Sequence, residues 1–196
     1  MMLRKDAMAH DTYSCFAELK NHEALNIDYK ISISDVGSKV TIIAPHGGKI
    51  EPGTSDIAKK IATQRFNCYC FEGLKKENNR CLHITSHNFD EPTAVKIISR
   101  SHIVVAIHAC TGSERFVYLG GLDKILKAVI ADELESRGII VPKGYGKFKG
   151  LNPDNICNRG VNKKGGQLEI TRGLRDDLNK RQLISEAVET ALIKLQ

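Results

Sequence analysis

Two short apolar runs, Val40-Thr-Ile-Ile-Ala44 and Ile103-Val-Val-Ala-Ile107, constrain this chain more than anything else in it. They are too short for ordinary helices and too continuous for strands with one wet face. Runs of that kind are strands buried on both faces, which belong to parallel sheets covered by helices. The segments between and after them carry the helical period. Ser55 to Arg65 puts Ile57, Ala58, Ile61 and Ala62 on one face, with turn and cap residues in Gly53-Thr54-Ser55 before it. Glu91 to Ser101 reads as a helix with Pro92 in its first turn. Leu122, Ile125, Leu126, Val129, Ile130 and Leu134 form another stripe, ended by Gly138. Leu183, Ile184, Ala187, Val188, Ala191 and Leu192 mark a C-terminal helix. Further strands are read at Ile31 to Ile33, Asn67 to Phe71, Gly138-Ile-Ile-Val-Pro142 and Gln167 to Ile170. This alternation predicts an α/β domain with a mainly parallel sheet between helices.

A chain of 196 residues with 41% hydrophobic and 27% charged residues is expected to form one domain, with residues 1–25 as an N-terminal extension. No window approaches the ~20 continuous apolar residues of a membrane span. Basic residues near Met1 are not followed by an apolar stretch, so no secretory signal is read there. The expectation is a soluble, cytoplasmic monomer, for which release by cell lysis would require no signal. Cysteines at 15, 68, 70, 81, 110 and 157 include no CxxC pair, which speaks against a zinc ribbon and favours reduced, buried thiols. The net charge of +6 is spread over short groups at Lys59-Lys60, Lys75-Lys76, Lys143 to Lys149 and Lys163-Lys164. That balance attracts a polyanion, either nucleic acid or an acidic polymer. Stacking-aromatic and recognition-helix patterns are lacking, which disfavours nucleic acid.

Ligands of open parallel sheets bind beyond the carboxyl ends of strands. His46 ends the first apolar run and His108 the second. Gly47-Gly48 permits a tight turn that would bring Glu51 back toward His46. Two His and one Glu form an open coordination set for catalytic zinc, leaving a fourth position for water. The plainer reading makes His46 a turn cap and Glu51 a solvated carboxylate. His83 and His87 are further candidates, for substrate contact or as ligands in place of His108. Glu169 lies between Leu168 and Ile170 on a strand, where a carboxylate is costly unless paired or catalytic. It is the candidate general base. Arg159, in Asn152-Pro-Asp-Asn-Ile-Cys-Asn158-Arg159, could grip a carboxylate with two parallel hydrogen bonds.

Several segments together resemble the phage and Bacillus poly-γ-glutamate hydrolase family, once labelled phage-related replication proteins. They are Pro45-His-Gly-Gly-Lys-Ile-Glu51-Pro-Gly-Thr, Leu82-His-Ile-Thr-Ser, Phe89-Asp-Glu-Pro, Val105-Ala-Ile-His108, Leu119-Gly-Gly-Leu, Asn152-Pro-Asp-Asn-Ile, Asn158-Arg159 and Gln167-Leu-Glu-Ile170. They run in order from about residue 40 to 172. The resemblance implies a truncated zinc-carboxypeptidase-like fold and one zinc per chain, held by His46, Glu51 and His108. It places Glu169 as the general base and Arg159, with Asn158, as a substrate-carboxylate clamp. His83 and Asn152 are expected to line the substrate site, and the expected substrate is a polyanionic γ-glutamyl polymer. The family has Thr-Ser-Thr-His-Phe where this chain has Thr85-Ser-His-Asn-Phe89, so its histidine stands one place earlier. Two other functions compete with this one. The first is a zinc amidohydrolase acting on a small N-acylated acidic amino acid, and the second is a non-catalytic, nucleic-acid-binding replication protein.

Overall fold

The computed structural model describes residues 11–143 and 148–196. Its frame is a six-stranded mixed sheet: β1 (Tyr29–Ser34), β2 (Val40–Gly48), β3 (Asn67–Gly73), β4 (Ile103–Cys110), β5 (Val117–Gly120) and β6 (Gly166–Thr171). The order across the sheet is β1-β3-β2-β4-β6-β5. The four central strands are mutually parallel, while β1 and β5 run antiparallel at the two edges. Among the described residues the α-helices are α1 (Phe16–His22), α2 (Thr54–Ala62), α3 (Pro92–Ser99), α4 (Lys124–Ser136), α5 (Arg172–Arg175) and α6 (Leu178–Lys194).

The apolar runs become β2 and β4, and they are buried on both sides as expected. Val40, Ile42 and Ala44 join Val105 and Ile107 in one core with Ile57, Ile61, Leu126, Ile130, Ile184 and Val188 from α2, α4 and α6. Ile43, Val104 and Ala106 face a second core, with Phe16 and Leu19 of α1 and Ile97 and Ile98 of α3. Two cores on opposite faces of a parallel sheet make the three-layer α/β arrangement. Helix starts follow their capping chemistry. Asp123 accepts the Ile125 and Leu126 N–H groups, Asp177 those of Asn179 and Lys180, and Glu91 that of Ala94.

Gly138 to Pro142 does not form the expected strand. Ile140 makes only an isolated bridge to Phe116, and Gly138 takes φ +72° at the end of α4. The N-terminal extension is core from α1 onward, since Phe16 packs edge-on against Tyr29 and Phe71. Its residues 1–10, and residues 144–147 of the first Gly-rich loop, lie outside the described part. All six cysteines are free; Cys68 and Cys70 share a face of β3, with their Sγ atoms 3.8 Å apart.

One irregularity positions the site. The β2–β3 register runs evenly to Ala44 opposite Cys70, then shifts so that Gly47 stands opposite Glu72. Three steps along β2 match two along β3, which is a β-bulge. Pro45 lies within it, at a position that has no N–H to give a ladder. Without the bulge, the same residues in an even ladder would leave His46 on the face of Ile42 and Ala44, pointing toward α2. With it, His46 joins the face of Ile43, the same face that carries His108.

Candidate metal centre

Three strand ends and one turn build the site. His46 stands in the bulge near the end of β2. Gly48 takes φ +62°, and the Glu51 N–H donates to the His46 carbonyl at 2.9 Å, closing a tight turn. Glu51 then reaches β4, where its Oε2 accepts the Ala109 N–H at 2.9 Å. His108 on β4 is in register with Glu169 on β6, so the two side chains stand side by side on one face.

The donor atoms converge. His46 Nδ1 lies 3.2 Å from His108 Nδ1 and 3.5 Å from Glu51 Oε1; Glu51 Oε2 lies 3.8 Å from His108 Nδ1. Among the described residues, His46, Glu51 and His108 are the group able to present one ligand atom each around a common point. Their outer contacts set the tautomers. His46 Nε2 is 2.7 Å from the Ile84 carbonyl, which can only accept, so Nε2 carries the hydrogen and the Nδ1 lone pair faces inward. Ser86 Oγ lies 3.3 Å from His108 Nε2 and can accept its hydrogen, which frees the other inward lone pair. Burial, followed by the neighbouring His46 and His83, holds His108 well below the usual histidine range and therefore neutral. Two inward imidazole nitrogens and a carboxylate facing one point fit a divalent ion, and hydrogen-bonded outer nitrogens are the usual support for such ligands.

The set opens on a cavity of about 720 Å³, lined among others by Asp11, Arg80, His83, His87, Phe148 and Glu169. Burial and the Glu51 charge push the Glu169 carboxyl well above the usual carboxylate range, against an opposing pull from Arg175. His83 stacks on His46 with ring centroids 3.9 Å apart, and its Nδ1 is 2.7 Å from Asp11 Oδ1. Burial and then the neighbouring His46 lower His83 to about 3, despite Asp11, so it is a neutral ring facing the cavity.

The other expected substrate contacts are placed elsewhere. Arg159 is absent from the cavity wall; it donates to the Phe89 carbonyl, and its buried Nε has no partner among the described residues. Asn158 is fully committed, accepting from Leu122 and Gly165 and donating to the Gly150 and Asn152 carbonyls. Asn152 is exposed and closes a turn by accepting the Asp154 N–H. Asp11 and Arg80 are cavity residues that sequence reasoning missed. Asp11 meets His83 across 72 positions, and no local pattern signals such a pairing.

Comparison with known proteins agrees with this geometry. The model of the family described as poly-gamma-glutamate hydrolase matches residues 13–193. The UPF0714 protein YmaC of Bacillus subtilis (strain 168) is 42% identical over 169 residues, covering 85% of this chain and 71% of that protein. The structure of a bacteriophage poly-gamma-glutamate hydrolase superposes with a TM-score of 0.91 at 30% identity, covering 95% of this chain and 98% of that one. A zinc-free structure of YndL gives a TM-score of 0.88 at 30% identity, covering 95% and 99%. With a family match across nearly its whole length and the same fold in two solved relatives, this chain belongs to the poly-gamma-glutamate hydrolase family.

Proposed function

We propose that this chain hydrolyses the γ-glutamyl amide bonds of poly-γ-glutamate, with one zinc ion held by His46, Glu51 and His108 and with Glu169 as the general base. The observation that carries the reading is the convergence of those four side chains on one wall of a single cavity. An ion in this set supplies Lewis acidity to a carbonyl and acidifies water. The remaining work falls to the chain itself. Glu169 takes a proton from water at its carboxylate and passes it to the departing amine. Burial and the Glu51 charge give it the raised proton affinity that this shuttle needs. Arg80 at the cavity rim and the net charge of +6 draw in a polymer that carries one carboxylate per residue. The ring of His83, held by Asp11, forms a neutral wall beside His46 that can contact substrate without adding charge.

The test is metal analysis of the purified protein, paired with chelator-sensitive cleavage of poly-γ-glutamate and of a small N-acylated glutamate. One zinc per chain and polymer cleavage that stops with chelator are expected. Preference for the small amide would replace the polymer as substrate. Glu169→Gln should keep its metal and lose turnover; wild-type turnover in that variant would remove Glu169 from the mechanism.

A further inference from the structure

Arg175 is the last residue of α5, the short helix that leaves β6, and it is only 7% exposed. Its Nε donates to the Ile170 carbonyl at 3.1 Å, its Nη1 to the Pro52 carbonyl at 2.6 Å and its Nη2 to the Cys110 carbonyl at 3.2 Å. These acceptors are not scattered. Pro52 follows Glu51, Ile170 follows Glu169, and Cys110 is two residues beyond His108. One planar guanidinium thus spans the three backbone segments that carry a ligand, the base and a second ligand. The same cation is within electrostatic reach of both site carboxylates. Behind it, Arg181 donates from Nε to the Arg175 carbonyl, and its guanidinium lies against Gly53, where an added Cβ would come within 3.1 Å of it.

We propose that Arg175 is a positioning residue that fixes the spacing of Glu51, His108 and Glu169 and so sets how tightly the centre holds its ion. The inference rests on the reading of His46, Glu51 and His108 as metal ligands. The chemistry of the side chain explains why this position is arginine. Five N–H groups in a rigid fork meet three carbonyls arriving from different directions, whereas a lysine ammonium offers one point on a flexible stem. Its charge is permanent, so the clasp does not release across the working pH range.

The experiment compares zinc affinity, by competition with a chelating dye, in the wild type, Arg175→Lys, Arg175→Gln and the exposed control Arg172→Ala. Folded protein is used well below its melting temperature, and visible spectra are recorded after cobalt(II) substitution. The two Arg175 variants are expected to lose about 10- to 100-fold in affinity, the range for removing an outer support of a metal ligand, and to shift the cobalt bands. Arg172→Ala should match the wild type. A lowered melting point with unchanged affinity and unchanged cobalt bands would make Arg175 a structural residue only and overturn the proposal. Should neither Arg175 variant accumulate folded, Arg181→Met keeps the clasp but removes its backing. A smaller loss of affinity supports the inference, and unchanged affinity overturns it. A wild-type protein that binds no metal would instead overturn the ligand assignment beneath it.

Discussion

Replacing Glu169 by Gln should stabilise the metal-free protein while disabling it. In the folded chain the Glu169 carboxyl is pushed up by burial and by Glu51. In the unfolded chain it titrates at about 4.3. Above that pH the unfolded carboxyl has lost its proton and the folded one retains it, so stability falls as pH rises toward the folded value. Each pH unit in that window costs about 1.4 kcal/mol. For a chain of this size, that corresponds to roughly 3–5 °C in melting temperature. Gln does not ionise and is free of this cost. Below about pH 4 both forms are protonated folded and unfolded, and the two proteins should melt together. Scanning calorimetry in chelator from pH 4 to 8 should therefore show the variant pulling ahead as pH rises. In the metal-loaded proteins the lead should shrink, because the ion offsets the Glu51 charge. Turnover should fall by about 10²- to 10⁴-fold, the usual share of a general base. A variant no more stable than the wild type at pH 8, or a lead that does not vary with pH, would refute the electrostatic account of this site.

Two further outcomes follow from the geometry. In Gly47→Ala the new Cβ would stand 2.0 Å from Ser55 Oγ and 3.0 Å from the Phe71 carbonyl. Turning the Ser55 hydroxyl away loses its bond from the Gly48 N–H, so overpacking plus that bond should cost about 2–4 kcal/mol, read as a lower urea midpoint. At the opposite end of the pH scale, burial raises Glu23 and Glu72, but hydrogen bonds outweigh it and leave both below the usual range. Glu23 is bonded by Lys75 and Tyr13, and Glu72 by Ser32 and Lys59. Their stabilisation is complete above about pH 4.5 and is lost as pH falls through their depressed values. The pH dependence of urea stability between 3 and 4.5 should be shallower in a Glu23→Gln, Glu72→Gln double variant, and an unchanged slope would contradict this.

Much of the frame was legible because central strands of a parallel sheet cannot hide their composition. Val40 to Ala44 and Ile103 to Ile107 are buried on both sides and read as such. The convergence of His46, Glu51 and His108 was legible for a related reason: a histidine ending such a run stands at the binding edge. Errors arose where backbone demands outrank side-chain type. The amide-rich loop at Asn152 to Arg159 resembled a substrate clamp, yet Asn158 spends all its hydrogen-bonding capacity on loop backbone. Ile139 and Ile140 looked like a strand, but a single bridge to Phe116 is all that follows. Arg175 was invisible because its partners are three carbonyls, and carbonyls have no signature in a sequence.

The bulge in β2 has a consequence for how this protein can vary. A period-two strand offers only two directions, and one inserted residue exchanges them. Deleting Pro45 would restore an even ladder with β3 and leave the imidazole of the next residue on the face of Ile43, still toward Glu51 and His108. The sheet would gain regularity with the ligand still on the side of the centre. A further residue inserted between Ala44 and Gly47 that no bulge absorbed would instead turn the imidazole into the apolar layer beneath α2, and a family member built that way would have to supply its nitrogen ligand from another strand.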